Sequence, residues 1–245
     1  RGLGDVYKRQ LFAMSRLDRI KNMAGLLEWY GQNPELRKMA NLLIVGGRLR
    51  PEESSDRDER EQIERTHWLF DEHKLEGEVR WVEMQTDKIK VGELYRFVAD
   101  QRGAFVQPAL FEAFGLTVVE SMSSGLPTFA TRYGGPLEII QNGKSGFHID
   151  PTQGGEATAK MLDFFQRCEK DPSVWDEISE GGIARVEERY NWRLYASTLL
   201  KLSRIYGFWR YISSLERDET RRYLEMFYGL LLRPLSKRVL EQHEH

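Results

Sequence analysis

Two cations in one short loop are the first residues in this sequence that could do chemistry. Arg16 and Lys21 lie in the segment Ser15–Asn22, directly after an apolar run that predicts a β-strand. A guanidinium and an ammonium on one strand-to-helix loop could together bind a diphosphate. Basic residues are also ordinary on solvated loops, so the pair alone leaves a plain surface role open.

Two glutamates further along the chain are separated by seven residues. Glu112 precedes, and Glu120 lies within, a segment that predicts a helix beginning near Gly115. The free N–H groups of such a helix could face a phosphate, while the carboxylates accept hydrogen bonds from a ribose diol and a sugar hydroxyl. The alternative is a salt-bridged helix face and a surface loop. The apolar run Phe114–Val119 predicts a largely buried helix, on which a lone solvated Glu120 is less favourable.

A third loop carries paired glycines before a proline, Gly134-Gly135-Pro136. Glycine lets a backbone approach a ligand closely and proline is favourable at the start of a helix, so this loop could line a binding site. A tight structural turn explains the same residues equally well. The sequence does not decide between these two interpretations.

Several other motifs are excluded by their spacing. Asn142–Ser145 looks like the end of a phosphate-binding loop, but that motif requires glycine at the position of Glu138. The chain also contains no G-x-G-x-x-G dinucleotide motif. Asp56 and Asp58 lie in a charged run away from any predicted strand end, which favours a solvated surface. The five histidines show no metal-ligand spacing outside the C-terminus, and His148 is predicted to be structural.

Short β-branched runs that alternate with helical periodicity predict the sheet that positions these loops. The six predicted strands are Leu11–Ser15, Asn41–Val45, Val79–Val82, Ala104–Gln107, Thr128–Thr131 and Phe147–Ile149. The predicted helices between them are Met23–Tyr30, Asp56–His73, Glu93–Ala99, Leu116–Ser123 and Pro136–Gln141. Right-handed crossovers place such helices on both faces of a parallel sheet. Ligands of these sheets bind beyond the carboxyl ends of the strands, where the three loops lie.

The strand signals stop after Asp150, and the remainder of the chain is predicted to be helical. The predicted helices are Glu156–Gln166, Trp175–Arg189, Arg193–Ile212 and a last segment from Glu216 to Gln242. Pro234 should kink or interrupt that last segment, because proline removes a backbone donor. The segment is more apolar than a terminal helix beside a closed domain needs, so we expect it to pack on something else. The predicted domains are a leader at 1–10, an α/β domain at 11–192 and a helical extension at 193–245.

The composition of the 245 residues excludes several classes of protein. The chain has 36 Lys and Arg against 38 Asp and Glu, so no global basic field favours nucleic acid as a partner. A hydrophobic content of 40% favours a globular domain over a disordered chain. Its single cysteine, Cys168, excludes an internal disulfide and favours the cytoplasm. No run approaches the roughly 18 apolar residues of a membrane span, and the first ten residues contain no signal-peptide core.

The three loops together resemble the nucleotide-binding half of retaining GT-B glycosyltransferases, an α/β class with a Rossmann-like parallel sheet. Four longer stretches resemble more specifically the C-terminal part of the sucrose synthase family. They are LFAMSRLDRIKNMAGLLEWYGQNPELR, GAFVQPALFEAFGLTVVESMSSGLPTFATRYGGPLEII, NGKSGFHIDP and YGFWRYISSLERDETRRYLEMFY. The resemblance covers nearly everything from Leu11 to Arg233. The closing segment Glu216–Tyr228 favours this family over sucrose-phosphate synthase and other retaining GT-B donor domains.

The resemblance implies a binding site for a nucleotide-sugar donor, UDP-glucose or ADP-glucose. The expected contacts are Arg16, Lys21 and the Leu116 N–H to the diphosphate, Gln85 to uracil, Glu120 to the ribose, and Glu112 with the Phe114 and Gly115 backbone to the glucose. Arg16, Lys21 and Glu112 are the expected catalytic residues. One position departs from the family pattern, because Val91 stands where an asparagine usually follows the uracil-reading glutamine by six residues. Valine has no polar side-chain atom, so we expect weaker base contacts or a broader nucleotide preference.

The resemblance also implies reversible transfer of glucose between a nucleoside diphosphate and fructose, making or cleaving sucrose with retention at glucose. Side-chain cations and a helix N-terminus are expected to stabilise the departing diphosphate, so no metal cofactor is expected. The acceptor site and a catalytic histidine belong to a first GT-B domain that nothing before Leu11 could build. The helical extension is expected to pack on that missing domain, and the parent enzyme to be a homotetramer.

Three expectations concern the chain as it stands. Arg1–Gln10 does not resemble the family and is expected to be non-native or disordered. An alternative from another class is a nucleotide-binding or oligomerisation module that has no turnover in isolation. Neither a nucleic acid nor a membrane is expected as a partner.

Overall fold

Six short apolar segments form the parallel strands of one sheet. They are β1 (Arg9–Met14), β2 (Ala40–Val45), β3 (Val79–Val82), β4 (Ala104–Gln107), β5 (Thr128–Thr131) and β6 (Phe147–Ile149). Their spatial order is β3-β2-β1-β4-β5-β6, and β1 pairs with both β2 and β4. The strand order therefore reverses between β1 and β4, which is where a doubly wound sheet opens a ligand crevice. The predicted fold class is confirmed.

The computed structural model describes residues 8–213 and 217–243. The predicted leader at 1–10 therefore lies mostly outside the described residues. Its last two positions, Arg9 and Gln10, belong to β1 and pair with Ala40 and Asn41 of β2. The chain divides into two units after Tyr190, two residues before the predicted boundary at 192.

Eight helices surround the strands within the first unit, as far as the structure describes it. They are α1 (Met23–Gly31), α2 (Pro34–Met39), α3 (Arg57–Glu72), α4 (Lys88–Asp100), α5 (Leu116–Ser123), α6 (Pro136–Ile139), α7 (Gly154–Lys170) and α8 (Ser173–Arg189). Side-chain caps explain two departures from the prediction. Asp87 accepts the backbone N–H of Ile89 at 2.9 Å, so α4 begins five residues before the predicted start at Glu93. Asn33 caps the unpredicted α2 by accepting the N–H of Leu36.

Strand alternation divides the core between the two faces of the sheet. Leu11 and Ala13 of β1 enter one apolar cluster, while Phe12 and Met14 enter another, because successive strand side chains point to opposite faces. On the second face Phe12 contacts Tyr95 edge-on, with ring centroids 5.3 Å apart. Tyr95 lies on α4, so this contact ties the helix to the strand beneath the crevice.

The second unit is helical in its described part. It contains α9 (Trp192–Ser213), α10 (Arg217–Phe227), a π-helical turn at Tyr228–Leu232, and α11 (Arg233–His243). Pro234 was predicted to interrupt the last helix. It is the second residue of α11, and the backbone before it stays helical from Phe227 through the π-helical turn to Arg233, so the departure from the α-helix is this local turn. The unit exposes large apolar side chains, including Trp192, Tyr206 and Leu230. Packing of these side chains on a further domain stays a prediction.

Candidate functional site

A cavity of about 390 Å³ opens at the carboxyl ends of β1 and β4. It is lined by Met14, Ser15, Arg16, Lys21, Met84, Glu112, Ala113, Phe114, Gly115, Leu116 and Thr117. The loop after β1, the loop after β4 and the start of α5 therefore meet around one space. A second cavity of about 420 Å³ beyond β2 and β3 shares Arg16 and Met84 with the first, so the two form one cleft.

Hydrogen bonds join the two loops across the switch point. The Asn22 side chain donates to the carbonyl of Pro108 at 3.1 Å, and the N–H of Leu110 donates to the carbonyl of Ile20 at 2.8 Å. Asn22 adopts a left-handed backbone conformation with φ of 56°, which asparagine tolerates better than most residues. These bonds hold Lys21 beside the loop that carries Glu112.

Lys21 and Glu112 form an ion pair in this cleft. The Lys21 Nζ lies 2.6 Å from Glu112 Oε2, and both side chains are largely buried. Gln107, the last residue of β4, donates its Nε2–H to the same carboxylate oxygen at 2.7 Å. Sequence reasoning brought the cation and the carboxylate to one site but missed Gln107. A polar residue that ends an apolar strand, AFVQ, was the available signal.

Arg16 reaches the cleft but is not bound to the Lys21–Glu112 pair. Its guanidinium pairs with Asp18 at 3.1 Å, and its side chain is 79% exposed. Asp18 also accepts the backbone N–H of Lys21 at 2.9 Å through its other oxygen. Sequence reasoning missed Asp18, which shapes the loop that presents both cations.

The start of α5 faces the same cavity. Gly115 precedes the helix in a left-handed conformation with φ of 104°, so glycine is the residue that fits there. Leu116 and Thr117, whose N–H groups begin the helix, line the cavity. The first N–H groups of a helix have no intrahelical acceptor, so this edge could bind an anion.

The glycine pair resolves the choice that the sequence left open. A Cβ at Gly134 would meet the carbonyl oxygen of Glu112, and a Cβ at Gly135 would meet that of Phe114. The N–H of Gly135 donates to Glu112 O at 2.8 Å, and the N–H of Glu112 donates to Tyr133 O at 3.0 Å. The glycines therefore serve a tight structural contact, one that holds the backbone of Glu112 from behind.

Glu120 is positioned from another direction. Its Oε2 accepts the hydroxyl of Tyr95 at 3.3 Å, from the helix that follows β3. The Glu120 side chain reaches solvent, yet enough of the carboxyl is shielded that desolvation raises its pKa, while the Tyr95 bond and the charge of Lys88 partly oppose that rise. Burial and the adjacent carboxylate raise the pKa of Tyr95, so the phenol stays a donor. Tyr95 is a second residue that sequence reasoning missed.

Gln85 lies on the segment between β3 and α4, and Val91 lies in the first turn of α4. Gln85 Oε1 accepts the N–H of Asp87 at 3.1 Å, so its carbonyl already bonds within its own loop. Val91 packs against the apolar cluster that contains Phe12 and Tyr95. Its side chain thus contributes to the core where the family pattern expects an amide.

Two of the excluded motifs have structural roles. Asp56 caps α3 by accepting the N–H of Asp58 at 2.8 Å. His148 is half-buried, its Nε2 lies 3.2 Å from the Pro136 carbonyl, and burial lowers its pKa.

Within residues 8–213 and 217–243, no three His, Cys, Asp or Glu side chains are grouped as metal ligands, and no helix has the length and apolarity to span a membrane.

A doubly wound α/β domain with a cation, a carboxylate and a helix N-terminus at its switch point defines a class of protein suited to phosphorylated, hydroxyl-bearing ligands. The family model for glycosyl transferases group 1 matches residues 5–180. The chain belongs to this family, because the match covers well over half of its 245 residues.

Curated relatives narrow the comparison. The chain is 58% identical over 240 residues to a sucrose synthase from Nitrosomonas europaea, covering 98% of this chain and 30% of the relative. It is 54% identical to a sucrose synthase from Solanum tuberosum, covering 97% and 29%. The resemblance to the sucrose synthase family is confirmed. The chain spans about 30% of the length of these relatives.

Solved structures confirm the fold. Sucrose-phosphate synthase from Thermosynechococcus elongatus aligns with a TM-score of 0.66 at 24% identity, covering 82% of this chain and 46% of that one. HepE from Anabaena, solved in complex with UDP and glucose, aligns with a TM-score of 0.64 at 20% identity, covering 87% and 50%. At these identities the similarity supports the architecture alone.

Proposed function

We propose that this chain is the donor-binding part of a sucrose synthase, which reversibly transfers glucose between a nucleoside diphosphate and fructose with retention at glucose. The observation that carries the proposal is the convergence of Lys21, Glu112 and the start of α5 on one cavity. These are positions to which the family resemblance assigns donor contacts. The 58% identity to a sucrose synthase favours this activity over the sucrose-phosphate synthase alternative, whose fold matches at 24% identity.

In the proposed mechanism the site stabilises the diphosphate as it leaves the anomeric carbon of glucose. Lys21 and the N–H of Leu116 contact the phosphates and offset the charge that develops there. Arg16 joins them by giving up Asp18, which costs little because an exposed ion pair contributes only about 0–1 kcal/mol. Two cations and a helix N-terminus then take the role of a metal, so we propose that no metal cofactor is used.

Glu112 is proposed to hold the glucose. Its Oε2 is occupied by Lys21 and Gln107, whereas Oε1 accepts no hydrogen bond from the described residues. That oxygen is available to a sugar hydroxyl, and the backbone at Phe114 and Gly115 lines the same cavity. The acceptor proton passes to the phosphate of the nucleotide, so the chain supplies no nucleophile in this scheme.

The nucleoside is proposed to extend along the cleft towards β3. Glu120 accepts the ribose hydroxyls beside its bond to Tyr95. Gln85 reads uracil through its amide N–H₂, since its carbonyl bonds to Asp87. Val91 offers no polar atom to the base, so both UDP-glucose and ADP-glucose are proposed donors.

The remaining parts of the proposal concern the whole enzyme. Fructose and sucrose bind against a domain outside this chain, which also supplies a catalytic histidine, and the helices of the second unit pack on that domain. The whole enzyme is proposed to be a cytoplasmic homotetramer. Because the chain spans about 30% of its relatives, a nucleotide-binding or oligomerisation module without turnover is the competing proposal for the chain by itself.

The direct test is calorimetric titration of the chain with UDP and with ADP, each with and without EDTA. Binding that EDTA leaves unchanged supports a donor site that works without a metal. Loss of binding in EDTA would contradict the metal-free scheme. A folded sample that binds neither nucleotide overturns the donor site itself.

A further inference from the structure

Gln107 is a buried polar residue that is linked to the cleft through Glu112. It is the last residue of β4 and is only 2% exposed. The three strand residues before it, Ala104, Phe105 and Val106, are fully buried and apolar. Its side chain does not line the cavity. Its Nε2–H donates to Oε2 of Glu112, which does line the cavity, at a distance of 2.7 Å.

The chemistry of the contact defines which way the amide points. An ionised carboxylate only accepts hydrogen bonds, so the N–H₂ end of Gln107 must face Glu112. The reversed amide would set two acceptor oxygens against each other. In the observed orientation Gln107 Oε1 is buried and has no hydrogen-bond partner among the described residues. A buried unpaired acceptor lowers stability, so the amide is a poor choice for stability alone.

The same contact defines the orientation of the Glu112 carboxylate. Gln107 and Lys21 both donate to Oε2, at 2.7 and 2.6 Å, from β4 and from the loop after β1. Two donors on one oxygen hold the carboxylate plane, because turning it would break both bonds. The second oxygen, Oε1, is then left for a ligand.

We propose that Gln107 is a positioning residue that orients Glu112 for the sugar of the donor and thereby favours a nucleotide sugar over the bare nucleotide. The inference rests on the proposed donor site, and it adds a residue that makes no ligand contact itself. Its effect must pass through Glu112. It should therefore appear in the affinity for UDP-glucose relative to UDP.

The test compares Gln107→Met with wild type by titration with UDP-glucose and with UDP. Methionine keeps the length and apolar stem of glutamine and removes the donor. We expect the dissociation constant for UDP-glucose to rise about tenfold and that for UDP to change less than about twofold. Gln107→Asn is a second variant, which keeps the amide but withdraws it by one methylene, and it should change the ratio in the same direction.

Gln10 provides a matched control. It is a buried glutamine of β1, 6% exposed, whose Oε1 also lacks a partner and whose Nε2 donates to the Lys8 carbonyl, at the opposite end of the sheet. Gln10→Met should leave the ratio of the two dissociation constants unchanged, whatever its effect on thermal stability. A double-mutant cycle adds the second readout, because Gln107→Met should have little further effect on UDP-glucose binding in a Glu112→Gln background.

The outcomes separate this inference from the proposed function. If wild type binds both ligands and both Gln107 variants keep the wild-type ratio, the inference is wrong and the donor site stands. Additive effects in the cycle also overturn it, because Gln107 would then not act through Glu112. If folded wild type binds neither ligand, the donor site fails and the inference fails with it.

Discussion

Glu112 lines the cleft and Glu120 lies further along α5, and the two carboxylates are held by different chemistry. Glu112 belongs to a loop and accepts from a lysine and an amide, with its backbone held from behind by the glycine turn. Glu120 belongs to α5 and accepts from the phenol of Tyr95. One carboxylate has a cation at 2.6 Å, and the other has a neutral donor at 3.3 Å.

The difference teaches that spacing alone does not define the role of a carboxylate. The charge of Glu112 is balanced within the site, so it can offer an oxygen to a neutral sugar hydroxyl without adding net repulsion for phosphate. Glu120 lies about one helical turn beyond the N–H groups that begin α5, and desolvation raises its pKa. Replacing the residue that contacts each glutamate can test whether the two glutamates have separate roles in ligand binding.

The largest expected effect comes from removing the cation beside Glu112. Lys21→Ala removes the proposed phosphate contact and leaves the largely buried Glu112 carboxylate without its cation. We expect the dissociation constant for UDP to rise about 100-fold, equivalent to about 2.8 kcal/mol, and thermal stability to fall. Lys38→Ala is the control, because Lys38 pairs with Glu35 on the exposed surface. Equal UDP affinity in wild type and Lys21→Ala would remove Lys21 from the site.

A smaller effect is expected from the donor to Glu120. Tyr95→Phe removes the hydroxyl that orients this carboxylate, and we expect UDP and UDP-glucose affinities to fall together by about fivefold, close to the net value of one hydrogen bond. Tyr30→Phe is the matched control, since its buried hydroxyl donates to the Ala40 carbonyl outside the cleft. A loss for UDP-glucose alone in Tyr95→Phe would mean that Glu120, like Glu112, serves the sugar.

The raised pKa of Glu120 predicts that the affinity for the donor changes severalfold with pH. Lys88 and Tyr95 are the groups that oppose the rise, and desolvation is its main cause. The ionised carboxylate accepts ribose hydroxyls best, so affinity should be full above the folded pKa and fall as pH drops through a value above the ordinary 4.5. UDP-glucose is the ligand to titrate, because the terminal phosphate of UDP itself titrates at a pH of about 6. Glu120→Gln should flatten the profile, and an unchanged profile in that variant assigns the pH dependence to another group.

The same group affects stability in the opposite direction. A folded pKa above the unfolded one means that the native state binds the proton more tightly, so stability rises as pH falls through the folded pKa. Glu120→Gln should therefore be no less stable than wild type at neutral pH. Together with weaker nucleotide binding, that result separates a ligand contact from a structural carboxylate.

The strands and most helices could be predicted from the sequence because their signals are local. Apolar runs such as ANLLIV and the helical periodicities are read from neighbouring residues, and the structure places them as expected. Helix ends were less predictable: the cap at Asp87 moved the start of α4, and the short α2 depends on the cap at Asn33. These caps are single hydrogen bonds that hydrophobic periodicity does not reveal.

The direct contacts of the two glutamates with Lys21 and Tyr95 could not be predicted from neighbouring residues for a different reason. Lys21 lies 91 positions from Glu112, and Tyr95 lies 25 from Glu120, so only the strand order brings them together. The resemblance supplied roles for the lysine and the glutamates, and the roles stay predictions. It was silent on Gln107 and Tyr95, which act on other side chains.

The smallest expected effect concerns the nucleotide base, which the proposed site places near α4. Val91 lies on α4 with Tyr95 and packs on the apolar cluster beneath it. Val91→Asn restores the amide of the family pattern, so the preference for UDP over ADP should increase about threefold in paired titrations. The gain in binding free energy is smaller than that of one full hydrogen bond, because the variant also loses a partly buried apolar contact. Ile89→Asn, at an exposed position on the same helix, is the control and should leave the ratio unchanged. If Val91→Asn also leaves the ratio unchanged, α4 does not read the base, and its part in the site is confined to the phenol that holds Glu120.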